Sequence, residues 1–530
     1  MFVKILMLVV FFAITICVGI YSHRQAKDVN GFVLGDRSVG PWLTAFAYGT
    51  SYFSAVVFIG YAGQFGWKYG LSTTWVGLGN AFIGSLIAWV VLGRRTRIMT
   101  QHLDAKTMPD YFGKRYDSKA LRITASAIAF VFLIPYTASV YKGLSTLFGM
   151  AFSIDYRICV IVMALLTAVY VILGGYMATA INDFIQGIIM LVGIVAVVAA
   201  VLKGQGGFLS AIQKLSEVPV DPSSTTEALK NMHGPFVSFF GPDPLNLFGV
   251  IILTSLGTWG LPQMVGKFYA IKSEKSVKTG TIVSTAFAVI ISGGCYFLGG
   301  FGRLFKDSAI YRADGSIDFD KIVPSMLMDS KLPDILIGIV IVLVLSASMS
   351  TLASLVHTSS TTLTLDVLKE TCCKKMDEKK TVLTMRILVV FFVVISVVIA
   401  LNPPTFIAQL MGISWGALAG AFLAPFMYGL FSKKVTKASV WSCFVWGVGI
   451  TLTVMILPKF GVNLPKFLNA INTGAIAMVG GLIIVPLISL FTPKMSTERV
   501  DQIFACYDEK VIVEKKMYLK EEDENLVEKK

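Results

Sequence analysis

Apolar runs of about twenty residues recur from one end of this chain to the other, and a helix of that length covers the ~30 Å hydrocarbon core of a bilayer. Hydrocarbon offers no partner to a peptide group, so only helices and closed barrels cross it. The runs are about twice as long as a barrel strand requires, and the chain therefore reads as an all-α polytopic membrane protein. Thirteen candidate spans can be marked: 2–22, 41–65, 72–93, 121–150, 156–174, 177–202, 245–268, 278–302, 333–361, 382–402, 404–431, 435–458 and 469–492. Charge content agrees. Only 15% of the 530 residues are charged, against roughly 25% in a soluble domain. The first run resembles a signal peptide, but its apolar stretch is long and no A-x-A site follows, so it is read as a retained helix.

The net charge of +14 does not point to nucleic acid, because the basic residues form short clusters between spans and no aromatic residues interleave with them. The lipid bilayer is the expected partner. Loops that follow odd-numbered spans hold the larger share of Lys and Arg, which places them in the cytoplasm. The N-terminus is then outside and the C-terminus inside a cell (plasma or inner) membrane, with 493–530 a charged, solvated cytoplasmic tail. Of seven cysteines only Cys372 and Cys373 are adjacent, a spacing that suits neither a metal site nor a disulfide framework.

Three spans depart from ordinary Leu/Ile/Val composition. Span two carries Gly49-Thr50-Ser51-Tyr52-Phe53-Ser54-Ala55, and span seven carries Thr254-Ser255-Leu256-Gly257-Thr258-Trp259-Gly260-Leu261-Pro262. Gly and Pro weaken the helical ladder, and carbonyls freed at membrane depth persist only in protein or at a cavity. Paired breaks five spans apart point to an inverted repeat with a midplane site, spans two to six (41–202) against seven to eleven (245–431). The helix 1–22 and the two helices of 435–492 stand outside it. Span nine carries Ser346-Ala347-Ser348-Met349-Ser350-Thr351-Leu352-Ala353-Ser354. Ser350 and Ser354 share one face, with Ala347 and Thr351 beside them. Such hydroxyls, opposite the carbonyls of a broken helix, could hold a hard monovalent cation. They could equally serve small-residue packing, each hydroxyl bonded to its own helix.

Asp183, at the opening of span six, is a functional candidate because an acid in a membrane helix is costly; an N-cap is the alternative. His357 reads as a packed polar residue rather than a proton relay, and Lys142 can snorkel toward the outer interface. No H-E-x-x-H or Walker A run occurs. Gly412-Ile413-Ser414-Trp415-Gly416 fits G-x-S-x-G, but within a span rather than at a strand-to-helix elbow. No enzyme and no organic cofactor is expected.

Four stretches together resemble the sodium/solute symporter family over most of the chain. They are Phe32–Trp42, Gly174-Gly175-Tyr176 with Asn182-Asp183-Phe184-Ile185-Gln186, the Gly257–Gln263 break, and Met349-Ser350-Thr351-Leu352. The resemblance implies a LeuT-like core of five-plus-five inverted repeats. It also implies Na+ as coupling ion, held by Thr50, Phe53, Ala347, Ser350 and Thr351. Some members hold a second sodium, for which Asp183, Ser350 and Ser354 match; Ala353 stands where a serine is frequent, and one sodium per solute is the preferred expectation.

The solute expected is small and organic, a pantothenate-like carboxylate or an amino acid such as proline. Span two is similar to that of sodium/pantothenate symporters, and span nine equally to that of sodium/proline symporters. Yet Tyr52 replaces the aspartate of the proline carriers, Thr254 and Thr258 replace their aromatic residues, and Thr137 replaces the arginine of sialic-acid carriers. Tyr52, Ser54, Asn80, Thr254, Thr258 and Trp259 are the candidate solute contacts. Rival readings are a proton-coupled or uncoupled carrier of the same fold, and a transporter-like sensor.

Overall fold

The computed structural model describes residues 2–22, 28–220, 233–305, 310–312, 314–330, 332–465 and 467–508. Among these the chain is all-helical, with two isolated bridges (Val39 to Ile271, Tyr311 to Ile317) and no strand. The principal helices are α1 (Phe2–Ser22), α2 (Pro41–Tyr52), α3 (Ala62–Tyr69), α4 (Thr74–Gly79), α5 (Arg94–His102), α6 (Met108–Arg115), α7 (Lys119–Phe152) and α8 (Tyr156–Gly204). They continue with α9 (Pro244–Gly260), α10 (Pro262–Ala270), α11 (Glu274–Gly299), α12 (Asp334–Thr362), α13 (Glu378–Leu401), α14 (Ile407–Phe431), α15 (Lys437–Ile456), α16 (Ala470–Phe491) and α17 (Thr497–Phe504).

Helix starts are set by polar caps. Ser118, Asp155, Asp243, Ser273, Asp377, Thr436 and Asn469 each accept a backbone N–H from the first turn of their helix. Such residues satisfy donors that no helix can satisfy itself. Ten helices among the described residues are long and apolar enough to cross a membrane, eleven if the bent pair α9 and α10 counts as one span. The chain is thus a multi-pass membrane protein. The sequence reading of thirteen separates spans two and three, which meet in the unit Val56–His102, and counts span five, whose helix Tyr156–Val169 is short. Val56–His102 spans 47 residues and is interrupted at Gly70 (φ 63°), while α8 runs 49 residues with a break at Gly175 (φ 58°). Both breaks use a backbone region that glycine enters without strain.

Helix α12 lies at the centre, against α8, α7, α1, α2 and α13, while α14 packs on α15, α16, α7 and α9. Glycines permit the closest approaches: a Cβ on Gly66 would lie 2.0 Å from the Gly299 carbonyl oxygen.

Two polar features differ from the sequence reading. Lys142 does not snorkel. Its ammonium sits 2.5 Å from Asp320 and donates to the Thr405 carbonyl, while Asp320 also receives the Ile407 N–H at the start of α14. The chain after 493 is not all solvated either. Helix α17 buries Val500, Ile503 and Phe504, with Arg115 over the Phe504 ring. Residues 509–530 of the expected tail lie outside the described residues.

Candidate functional site

Helix α2 ends because Phe53 turns extended (φ −106°, ψ 92°), its N–H closing on the Gly49 carbonyl. The ladder resumes only when the Ser54 carbonyl accepts from Val57 and Phe58. A helix C-terminus leaves its last carbonyls without helical partners, and here that end is buried. Thr50, Ser51, Tyr52 and Phe53 are each 0–1% exposed.

Helix α12 supplies what faces these carbonyls. The Thr351 hydroxyl lies 3.2 Å from the Thr50 carbonyl, 3.3 Å from that of Ser51 and 3.1 Å from that of Ala347, one turn back. One hydroxyl carries one proton, so it can satisfy only one of three oxygens at a time. Ser350 donates to the Thr50 hydroxyl at 2.8 Å, and Thr50 donates to the Phe46 carbonyl. The result is a buried cluster of neutral oxygens drawn from a broken and an intact helix, with more acceptors than donors. Neutral oxygens of this kind are the ligand type that suits a hard monovalent cation. Thr50, Ala347, Ser350 and Thr351 are brought together directly. Phe53 stands at the break itself, its ring stacked on Tyr52 with centroids 4.2 Å apart.

One turn further along α12, Ser354 shares a hydrogen bond of 2.8 Å with Ser51. Its hydroxyl also receives the ammonium of Lys267 on α10 at 3.0 Å, and the Asp183 carboxylate lies 3.7 Å from the same nitrogen. All three residues are buried. Asp183 is no cap: it sits eight residues past Gly175, inside α8. Lys267 had no role in the sequence reading, since nothing local marks a lysine near a span end as buried. His357 bonds the Phe32 carbonyl at 2.8 Å and packs on the Phe32 ring, as a packed polar residue would.

The solute candidates fall into two groups. Tyr52 donates to the Thr254 carbonyl and so joins the two broken helices. Thr258 and Trp259 instead bond the carbonyls of Gly84 and Ile83, and Asn80 bonds Ser255 and Ser292. Ser54 caps its own turn through Val56. An aromatic wall closes around Tyr52: Trp415 lies 6.1 Å away and Tyr136 packs edge-on to Trp415. Trp415 is fully buried and its indole N–H has no partner. Aromatic residues are too frequent in these spans for spacing to have singled out Tyr136 or Trp415.

Two cavities flank this centre. A vestibule of 790 Å³ is lined by Gln64, Lys68, Arg303, Phe319, Gln409 and Asn472. A narrow one of 50 Å³, reaching Lys106 and Thr107, is lined by Gln263, Lys267, Ser354, His357 and Thr361. Neither is lined by Tyr52 or another solute candidate, and all six candidates are buried. The 50 Å³ space has room for a few water molecules, at about 10–15 Å³ each. At that end the two broken helices are latched. Arg37 donates to the carbonyls of Tyr269, Thr100 and Ala105, and the Lys272 N–H bonds the Val39 carbonyl. The Gly35-Asp36-Arg37 turn that aims Arg37 takes positive φ at all three residues.

A buried polar centre between two broken helices, within a multi-pass bundle, is an arrangement that suits a membrane carrier. The sodium:solute symporter family model matches residues 32–447, and the chain belongs to that family. It is accordingly a sodium-coupled transporter. An osmoregulated proline transporter of Bacillus subtilis is 26% identical over 91% of this chain and 94% of its own length. A sodium/proline symporter of Staphylococcus aureus is 29% identical over 84% of this chain and 85% of its own. A Na+-coupled sialic acid symporter, solved with substrate in an outward-open state, shares the fold at TM-score 0.72 and 16% identity, over 94% of this chain and 99% of that one.

Proposed function

We propose that this carrier moves sodium and a small organic solute together by alternating access, with sodium held by Thr50, Phe53, Ala347, Ser350 and Thr351. The observation that carries the reading is Thr351, whose one hydroxyl faces three carbonyls from two helices. Sodium among those oxygens draws α2 to α12 and favours the state that admits solute; an ion drives such a change only through unequal affinity for the two states. A membrane potential of ~100 mV adds ~2.3 kcal/mol per inward charge, roughly fiftyfold accumulation.

Within this reading the Gly70 and Gly175 breaks divide two long helical units, giving thirteen crossings, and spans two to six and seven to eleven form inverted repeats of LeuT type. The N-terminus lies outside, so the latch at Arg37 is the cytoplasmic gate and the 790 Å³ vestibule opens outward. The solute is a small amino acid, proline first among those to try, with pantothenate-like carboxylates second; proline is what both relatives are named for. It meets Tyr52, Trp415 and Tyr136, and Ser54, Asn80, Thr254, Thr258 and Trp259 shape the walls.

Reconstituted vesicles given a panel of labelled solutes on the outside test this. An imposed inward sodium gradient should drive uptake that is absent from sodium-free, potential-clamped controls, and a pH gradient of equal size should not. Uptake that follows the pH gradient and ignores sodium overturns the coupling.

A further inference from the structure

The Lys267–Asp183 pair stands where the family resemblance led us to weigh a second sodium. Lys267 is 3% exposed and Asp183 is fully buried. The ammonium lies 3.0 Å from Ser354 and 3.7 Å from Asp183, so it already touches two of the three residues that such an ion would use. Neither carboxylate oxygen of Asp183 accepts a hydrogen bond. A buried carboxylate without a counter-charge is very costly, and the lysine supplies the charge from α10 at the end of its own tether. The Tyr176 ring faces the same ammonium at 5.4 Å, and its π face favours a cation there.

Charge balance then decides the ion count. With Asp183 neutralised, a free sodium beside it gains no net attraction. Relative to an unpaired carboxylate, one opposing unit charge ~4 Å away costs roughly three orders of magnitude in affinity at an effective dielectric of ~20. The five-oxygen site next to Thr351 lies beyond Ser354 and Ser51 and meets the ammonium together with its counter-charge Asp183, a pair with no net charge.

We propose that Lys267 is a tethered cation that fills the second-ion position, so that the carrier binds and moves one sodium per solute. The proposal rests on the sodium-symport reading above.

The experiment counts sodium directly, without needing the solute. Purified full-length carrier in nanodiscs is titrated with 22Na+ to saturation. Wild type and Lys267→Arg should bind one ion per carrier, and Lys267→Ala should bind about two, because the carboxylate is freed and the space vacated. The neutral pair Asp183→Asn with Lys267→Met keeps side-chain volume; it should bind one ion, with affinity within about threefold of wild type. Two ions in the wild type, one in Lys267→Ala, or none in the neutral pair each overturn the proposal. The neutral pair and the wild-type count decide the matter if Lys267→Ala does not fold. A wild type that binds no sodium refutes the symport reading itself, which is a separate outcome from a wrong count.

Discussion

Replacing Thr351 by valine removes one oxygen and almost nothing else. Valine keeps the volume and the β-branch, so no cavity opens. A methyl group then faces the carbonyls of Thr50, Ser51 and Ala347 from 3.1–3.3 Å. Without sodium the loss is one ordinary hydrogen bond, about 1 kcal/mol. With sodium in the proposed site, the missing group is one of five ligands of a full charge. Hydrogen bonds to charged groups contribute ≈ 1.5–3 kcal/mol, and taking that range for the lost ligand raises the half-saturating sodium concentration roughly 10- to 150-fold. Thr351→Ser is the matched control: it keeps the oxygen, gives up one methyl (about 0.8 kcal/mol of stability), and should leave half-saturation within about threefold. The assay is initial uptake into proteoliposomes across a sodium series, at solute well below saturation. Valine and threonine carriers with the same half-saturation, or a valine carrier slowed equally at every sodium concentration, would refute the assignment.

Three further outcomes follow from contacts elsewhere. Lys142→Met leaves Asp320 buried without its partner and should cost about 3–5 kcal/mol, seen as a lowered Tm in detergent, while adding Asp320→Asn should recover more than half of it. Gly66→Ala drives a methyl onto the Gly299 carbonyl; overpacking of this kind costs about 1–3 kcal/mol or more, and the monodisperse fraction in size-exclusion chromatography should fall sharply, whereas Gly293→Ala, with open space around it, should not change it. Arg37→Ala removes the charged donors that latch α10 and the turn after α5; a cysteine at Gln263, in a background without native cysteines, should be alkylated about tenfold faster, and an unchanged rate would show that the latch is not a gate.

How much of this was legible depended on whether the signal was local. The breaks at Phe53 and Leu261 could be seen because Gly49, Gly257, Gly260 and Pro262 sit beside them and act on the backbone at their own positions. The hydroxyls of α12 were visible because Ser350 and Ser354 recur one turn apart, with Thr351 in the next row. Partners from distant segments left no such trace. Lys142 looked free because Asp320, its counter-ion, lies in the connection before α12, and the same blindness hid Lys267 from Asp183. Hydropathy already parted the spans at 65–72 and 174–177, beside the breaks at Gly70 and Gly175. Helix α17 escaped notice because Val500, Ile503 and Phe504 make barely one turn of periodicity, too little to stand out from a charged tail. Asp183 opened its span in the sequence, but its helix begins at Tyr156 and merely kinks at Gly175, which removes the capping reading.

On the proposed reading, the placement of Tyr52 ties ion binding to solute binding. Thr50 and Ser51 give their carbonyls to Thr351, and Tyr52, the next residue, gives its hydroxyl to Thr254 on the other broken helix. All three stand on the last turn of α2, where the helix has already lost its ladder and has little stiffness to absorb a shift. Sodium that pulls the Thr50 carbonyl toward α12 therefore turns Tyr52 with it and changes the wall that a solute meets. Coupling of this kind is reciprocal: if sodium raises solute affinity by some factor, solute must raise sodium affinity by the same factor. Tyr52→Phe cuts the link to Thr254 while leaving every sodium ligand in place. It should keep sodium affinity in the absence of solute and shrink the mutual enhancement in both directions equally, which paired titrations of 22Na+ and labelled solute can read. Enhancement that survives in one direction only would place the coupling elsewhere than the end of α2.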